Sequence, residues 1–319
     1  MRPHRPLLGA ALVLSVSLVL HGCVWSSTTS DRGARSPEAS LPSAFPVTMS
    51  DDDGVRVRID APPRRIVTFA PSATEIVFAL GIGDRLVGVS GAYDDYPPAA
   101  TRIPEVGGAG DFGVEPNVEK VVSLRPDLFL TIEGGDQWKE RLRELGIPVF
   151  TIDSVSLEDT LHDIETVGRL TGTTEAAERL VASMQTEYRR IEAEIAGEAR
   201  VSCFFEVFYP PLTTVGPDTF IADVLRRAGC DLVSADARSD YPAWSVDDLV
   251  REDPEVYLVS SESGTSTAAV GDRPGFGAVA AVSRGDVALV DSDLVSRPGP
   301  RIVDGLRELV EALHPGMFG

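Results

Sequence analysis

Residues 65–83 read RIVTFAPSATEIVFALGIG. The apolar run Ile66–Ala70 predicts a buried strand, and the apolar spacing over Ala73–Leu80 predicts a helix directly after it. Ser72 stands before this helix and Glu75 follows three residues later, which is the spacing of a capping box. A helix that starts at the carboxyl end of a strand points its first backbone amides to the edge where open α/β sheets bind ligands. The stretch therefore predicts an α/β fold in which Ser72 helps to form one wall of a ligand site.

The same order of strand, loop and helix recurs along most of the chain. Its first part continues with predicted strands and helices at Leu86–Val89, Asn117–Leu124, Leu128–Thr131, Gln137–Leu145 and Val149–Ile152. Its last part repeats the order at Val201–Val207, Phe220–Ala228, Val246–Arg251, Val256–Val259, Val287–Val290 and Arg301–Leu313. Between them, Glu175–Ala196 has apolar residues at helical spacing and no Pro or Gly. This pattern predicts an α/β protein with two Rossmann-like lobes, mostly parallel sheets and a single long helix that joins them.

The first fifty residues predict export. Basic Arg2 and Arg5 precede the apolar run Leu7–Leu20, which is the arrangement of a secretory signal. Because Cys23 follows Leu20-His21-Gly22, the site resembles a bacterial lipobox, and we expect a lipid on Cys23; an ordinary signal peptide is the alternative. Residues 1–22 are thus a predicted signal and 23–54 a flexible tether. The expected location is extracytoplasmic, at the periplasmic or outer surface of a membrane.

The folded part is predicted to divide into an N-terminal lobe (55–155), a helical linker (156–198) and a C-terminal lobe (199–319). The formal net charge of the chain is −20, which repels phosphate backbones and excludes nucleic acid as a partner. Beyond Cys23 the cysteines are Cys203 and Cys230. An exported protein can form a disulfide between them, and two buried thiols are the alternative.

The sequence contains no pattern for catalysis or for a metal. Of its four histidines, two belong to the predicted signal, and His162 and His314 lie on predicted helices away from the loops. No Gly-x-Ser-x-Gly elbow or phosphate-binding glycine motif follows a strand. We therefore expect no enzyme activity, no metal site and no cofactor.

Aromatic and acidic residues dominate the loops that follow the strands. Such rings suit a large, partly apolar ligand. Tyr96 directly precedes Pro97 and Trp244 stands two residues after Pro242, and we expect both to pack beneath their own loops. The candidates for ligand contact are Tyr93, Asp111, Phe112, Tyr209 and Tyr241.

Several segments resemble the vitamin B12/ferric-siderophore substrate-binding proteins of ABC importers. They are RIVTFAPSATEIVFALGIGDRLVGV (65–89), DDYPPAA (94–100), EPNVEKVVSLRPDLFL (115–130), PLTTVGPDTFIADVLRRAG (211–229), YPAWSVDDLVREDPEVYLV (241–259) and RPGPRIVDGLRELVEALHP (297–315). The resemblance spans about Pro62 to Pro315 and implies two lobes that clamp a ligand between them. It also implies partners: an ABC importer permease, a small-molecule ligand and, through the anchor, a membrane. We expect a monomer.

The resemblance is strongest to the cobalamin-binding branch, so a corrinoid is the expected ligand. In that branch an aromatic residue follows the strand corresponding to Leu128–Thr131, whereas this chain has Glu133 in that loop. Ser72, Glu133 and Arg297 complete the expected ligand-binding residues. Glu140 and Asp247 match the acidic positions that dock on the permease. Haem, a ferric siderophore, or a role as a ligand sensor or scaffold are the alternatives.

Overall fold

The structure is a computed structural model that describes residues 44–91, 93–107 and 115–318. The predicted signal, Cys23 and most of the predicted tether lie outside the described residues, as do Asp111 and Phe112. Within the described residues, no helix is both long enough and apolar enough to cross a bilayer.

The first lobe is built on a four-stranded sheet preceded by a short hairpin. Its strands are β1 (Val47–Ser50), β2 (Arg56–Ile59), β3 (Ile66–Phe69), β4 (Leu86–Gly88), β5 (Leu128–Thr131) and β6 (Val149–Thr151). Its helices are α1 (Pro71–Ala79), α2 (Val118–Leu124) and α3 (Asp136–Glu144). The sheet order is β4-β3-β5-β6 and every pair is parallel. All residues of β3, β5 and β6 are buried, because the sheet is covered on both faces.

The hairpin corrects the prediction for the tether. Strand β1 pairs antiparallel with β2, so the folded part begins before residue 54. Asp53 accepts a hydrogen bond at 2.8 Å from the wholly buried Lys139 of α3, and Asp51 lies 3.4 Å from Arg143. Asp51 and Asp53, which the sequence predicts to be part of the tether, therefore bind the hairpin to α3.

Two helices, α4 (Leu157–Thr171) and α5 (Thr174–Ile195), follow the first lobe. The break between them falls at Gly172, whose φ of +73° is a left-handed conformation that glycine adopts without strain. Helix α5 has 22 residues, which gives it a length of about 33 Å. It is the predicted bridging helix, and it starts one residue earlier than the sequence indicates.

The second lobe repeats the architecture of the first. Its strands are β7 (Val201–Glu206), β8 (Cys230–Leu232), β9 (Val256–Ser260) and β10 (Val287–Val290), in the order β10-β9-β7-β8 and all parallel. Its helices are α6 (Phe220–Arg227), α7 (Val246–Glu252), α8 (Thr267–Val270), α9 (Ala280–Arg284), α10 (Ser292–Val295) and α11 (Ile302–Leu313). Strand β8 and helices α8–α10 have at most five residues each. None of these four is among the elements that the sequence predicts.

A disulfide joins Cys203 of β7 to Cys230 of β8. The two Cα atoms lie 5.7 Å apart and both residues are wholly buried. The preceding helix α6 ends at Arg227, and Cys230 begins β8.

An ionic cluster ties the linker helices to the second lobe. Arg227 of α6 pairs with Asp223 at 2.8 Å, with Glu192 of α5 at 2.9 Å and with Glu158 of α4. Asp223 also accepts a hydrogen bond from the backbone N–H of Leu157 at 3.1 Å. These contacts fix both linker helices against α6.

The predicted fold class is confirmed. Two mostly parallel sheets alternate with helices, and one long helix joins the two parts of the chain. The predicted limits of the lobes, at 55–155, 156–198 and 199–319, stay predictions.

Candidate functional site

The carboxyl ends of the two sheets meet. Glu75, in the first half of α1, forms a bidentate salt bridge with Arg301, which directly precedes α11. The two oxygen–nitrogen distances are 2.9 and 2.6 Å. Arg297 also approaches Glu75, at 3.3 Å. Because the Glu75 side chain is only 1% exposed, this contact is a buried junction between the lobes.

This geometry corrects the prediction of a capping box at Ser72. The helix begins at Pro71, which takes the first helical position because its fixed φ suits it. Ala70 is the N-cap and makes no side-chain cap hydrogen bond. Ser72 is buried within the first turn, and the carboxylate of Glu75 bonds to arginines of the other lobe. Ser72 therefore supports the wall of the cleft without capping the helix.

A buried carboxylate holds the loop that follows β4. Asp94 is 3% exposed and accepts hydrogen bonds from the N–H of Gly91 at 3.0 Å and from the hydroxyls of Ser90 and Thr74. These bonds fix the loop to α1. Tyr93, the residue before this anchor, is 46% exposed, as a ligand contact requires.

Tyr96 contradicts the expectation that it packs beneath its own loop. Its side chain is 44% exposed, and the guanidinium of Arg301 lies 4.0 Å from its ring centroid. Arg301 thus contacts two residues of the first lobe, Glu75 by charge and Tyr96 by cation–π stacking. We call the group Glu75, Asp95, Tyr96, Arg297 and Arg301 the locked end of the cleft.

Arg297 is an expected ligand-binding residue that has ionic partners. It lies 2.5 Å from Asp293, 3.3 Å from Glu75 and 3.5 Å from Asp95. The side chain is 11% exposed. The carboxylates of Glu75, Asp95 and Asp293 therefore already balance the positive charge of Arg297.

The other end of the cleft is acidic. At the locked end, Glu75 after β3 and Tyr96 after β4 contact Arg301, which follows β10. The loops after β5 and β6 instead lie near the loop after β8. Glu133 follows β5, Asp153 follows β6, and Tyr241 with Asp240 lies in the loop after β8. Partial desolvation and the charges of Asp240, Glu133 and Asp153 raise the pKa of Tyr241. The phenol of Tyr241 therefore lies near carboxylates of both lobes. We call Glu133, Asp153, Asp240 and Tyr241 the acidic end.

Two carboxyl groups, Asp153 of the acidic end and the more deeply buried Asp163, have strongly raised pKa values. Desolvation and the nearby carboxylates of Glu133 and Asp52 raise the pKa of Asp153 to about 6. Burial raises the pKa of Asp163 to about 7, although Ser154 donates a hydrogen bond to it at 2.5 Å. The sequence does not predict this cluster, because its members come from separate loops and from helix α4.

Tyr209 lies in the loop after β7, between the two ends of the cleft. It is half-buried, with its ring edge-on to Phe276 at 5.5 Å between centroids. Trp244 is also half-buried and packs on Phe204, as predicted. Tyr241 is 56% exposed and is free to contact a ligand.

The remaining candidates lie on the surface or outside the described residues. Glu140 on α3 and Asp247 in the first turn of α7 are both exposed. Asp111 and Phe112 are not described. A groove of about 520 Å³ between β10 and α11 is lined by Leu289, Arg307 and Phe318, on the outer edge of the second lobe and away from these candidates.

The arrangement suits reversible binding. Among the described residues, no group of three or more His, Cys, Asp or Glu side chains is placed to hold a metal ion. The cleft presents exposed tyrosine rings, carboxylates and paired arginines. Such groups can grip a ligand by stacking and hydrogen bonds.

Comparisons with known proteins agree with this geometry. The sequence profile of the periplasmic binding protein family matches residues 66–294. A Bacillus subtilis protein, named as an uncharacterized ABC transporter substrate-binding lipoprotein, is 34% identical and covers 97% of both chains. A cobalamin-binding protein of Halobacterium salinarum is 32% identical over 88% of this chain and 78% of its own.

A solved structure shares the fold. It is an ABC-type Fe3+-hydroxamate transport system from Saccharomonospora viridis, with a TM-score of 0.72 and 27% identity. The match covers 85% of this chain and 99% of the other. The chain therefore belongs to the periplasmic binding protein family and is a transport binding protein of an ABC importer, not an enzyme.

Proposed function

We propose that this protein captures a corrinoid in the cleft between its lobes and delivers it to the permease of an ABC importer. The corrinoid lies against the exposed tyrosine rings, and the acidic end accepts hydrogen bonds from its edge. No covalent change occurs.

The charge of the acidic end is the observation that carries this proposal. Glu133, Asp153 and Asp240 act together on Tyr241. Carboxylates accept hydrogen bonds from amide N–H groups, which are abundant on the periphery of a corrinoid. The same carboxylates repel the propionates of haem and the anionic groups of many ferric chelates. The site therefore favours a ligand whose edge carries amides.

Exposed rings supply the second part of the binding energy. Tyr93 is 46% exposed and Tyr241 is 56% exposed, so both leave apolar surface in water when no ligand is bound. A flat macrocycle covers such rings without a large loss of side-chain entropy. Phe112 is a further proposed wall. The name of the Halobacterium relative supports the same ligand class.

Delivery requires a docking surface and a location near the permease. We propose that the exposed carboxylates of Glu140 and Asp247 pair with basic residues of the permease, one on each lobe. We also propose that a lipid on Cys23 holds the protein at the outer face of a membrane, where it acts as a monomer. The lobes close by only a few degrees, because the cluster at Arg227 fixes the linker helices.

A ferric siderophore or haem is the second candidate ligand, and the locked end favours it. Arg297 and Arg301 lie at the cleft and share the carboxylate of Glu75. If an anionic chelate replaces Glu75 as their partner, the same arginines bind it by charge-assisted hydrogen bonds.

A panel of ligands separates the candidates. The purified protein is mixed with cyanocobalamin, haemin or a ferric hydroxamate chelate at equal concentrations, and quenching of tryptophan fluorescence gives each affinity. We expect cyanocobalamin to bind at least tenfold more tightly than the other two. Tighter binding of haemin or the ferric chelate contradicts the corrinoid proposal and supports the second candidate.

A further inference from the structure

A buried ion pair lies directly beneath Tyr209. Glu206, the last residue of β7, is wholly buried, and Arg273 binds both of its carboxylate oxygens at 2.5 and 3.0 Å. The Arg273 side chain is 8% exposed. A bidentate pair fixes the plane of the guanidinium as well as its position.

Neighbouring side chains hold this pair in place. The phenol of Tyr257 donates a hydrogen bond to Glu206 from the adjacent strand β9. Thr265 accepts a hydrogen bond at 3.0 Å from Arg273. The ion pair is therefore satisfied on both sides, which a buried charge requires.

The fixed guanidinium supports the ring of Tyr209. The Cζ atom of Arg273 lies 4.1 Å from the ring centroid of Tyr209 and 5.1 Å from that of Phe276. Phe276 meets Tyr209 edge-on. One face of the Tyr209 ring rests on a flat cation, and an edge contact restrains its rotation.

We propose that Arg273 is a positioning residue for ligand binding, which acts by holding Tyr209 as a stacking wall of the cleft. Buried contacts connect Tyr257 to Glu206, Glu206 to Arg273, and Arg273 to the ring of Tyr209. Arg273 itself does not touch the ligand. This inference rests on the proposed function, because it takes Tyr209 as one of the residues that contact the ligand.

Replacement of Arg273 by lysine tests the claim without ligand. Lysine keeps the charge for Glu206 but loses the flat face beneath Tyr209. The protein is labelled with 3-fluorotyrosine, and Tyr209→Phe identifies the Tyr209 signal among the six tyrosines. We expect Arg273→Lys to shift or broaden that signal. Arg307→Lys is the matched control, because Arg307 stacks on Phe318 and pairs with Glu187 far from Tyr209. An unchanged Tyr209 signal in Arg273→Lys overturns the proposal.

Binding of cyanocobalamin tests the consequence by a double-mutant cycle. We expect Arg273→Lys to raise the Kd about tenfold in the wild-type background and less than about twofold when Tyr209 is already alanine. Equal effects in both backgrounds show that Arg273 acts elsewhere and overturn the proposal. If Arg273→Lys does not fold, the pair Glu206→Gln with Arg273→Gln removes both charges and is measured in the same way. A wild type that does not bind cyanocobalamin contradicts the corrinoid function, while the fluorine signals still decide the role of Arg273.

Discussion

Glu75 and Arg301 belong to different lobes, yet they form a bidentate salt bridge with oxygen–nitrogen distances of 2.6 and 2.9 Å. They are 226 positions apart in the chain. Because the carboxylate is buried, this pair fixes the distance between the lobes at one end of the cleft. We propose that the acidic end, with Tyr241, is the side that receives a ligand.

Replacement of Glu75 by glutamine is expected to destabilise the protein. The change leaves Arg297 and Arg301 without their shared counter-charge, and breaking a buried pair on one side lowers the free energy of unfolding by about 2–4 kcal/mol. Urea unfolding measures the loss. Asp60→Asn is the control, because the Arg58–Asp60 pair is 60% and 76% exposed and is expected to change stability by less than about 0.5 kcal/mol. Equal unfolding midpoints for the two variants contradict a structural role for Glu75.

The sequence predicted the regular elements well and the contacts between lobes poorly. Strand β5 was predicted at Leu128–Thr131 and lies there, because an apolar run between turn residues is a local signal. Arg301, the partner of Glu75, lies far along the chain, so no local pattern predicts this pair. The three-residue spacing between Ser72 and Glu75 predicts a capping box instead. The neighbouring proline predicts that Tyr96 packs beneath its loop, whereas its actual partner, Arg301, is also distant in the chain. The acidic end could not be predicted either, since only the sheet order brings its loops together.

The disulfide is expected to stabilise the second lobe. Cys203 and Cys230 are 27 positions apart, and closing a loop of that size contributes about 3–4 kcal/mol in the chain-entropy description. Replacement of both cysteines by alanine is expected to lower the urea midpoint accordingly. Reductant should lower the midpoint of the wild type but leave the double variant unchanged. A wild type that does not respond to complete reduction, verified by thiol counting, contradicts this role.

Asp163 is expected to make stability depend on pH. Burial raises its pKa to about 7 from the ordinary 3.8, so the folded protein holds this proton more tightly than the unfolded chain does. Its contribution to the free energy of unfolding is complete below the ordinary pKa and is lost as the pH rises through about 7. The carboxylates of Asp52, Asp153 and Asp159 surround it and oppose its ionisation.

Replacement of Asp163 by asparagine removes this titration. We expect the Tm of the variant to exceed that of the wild type by about 2–6 °C at pH 8, and the difference to shrink or reverse at pH 5. Thermal unfolding at both pH values measures it. Asp218→Asn serves as the control, because Asp218 is exposed. A difference between Asp163→Asn and the wild type that is the same at both pH values is the contrary result.

Stacking of the Tyr241 ring on the ligand is expected to contribute to the free energy of binding. Tyr241→Ala should weaken the binding of cyanocobalamin by about 1–3 kcal/mol, whereas Tyr241→Phe keeps the ring and should retain most of the affinity. Fluorescence titration of the variants measures both effects. An alanine variant with wild-type affinity removes Tyr241 from the site.

Calorimetric titration of the purified protein with cyanocobalamin tests the central claim most directly. The account predicts one ligand per protein, with a Kd of about 10 µM or tighter and a negative heat-capacity change from the burial of tyrosine rings. The absence of binding heat at several temperatures, with ligand well above that concentration and with folded protein, contradicts the claim that this cleft receives a corrinoid.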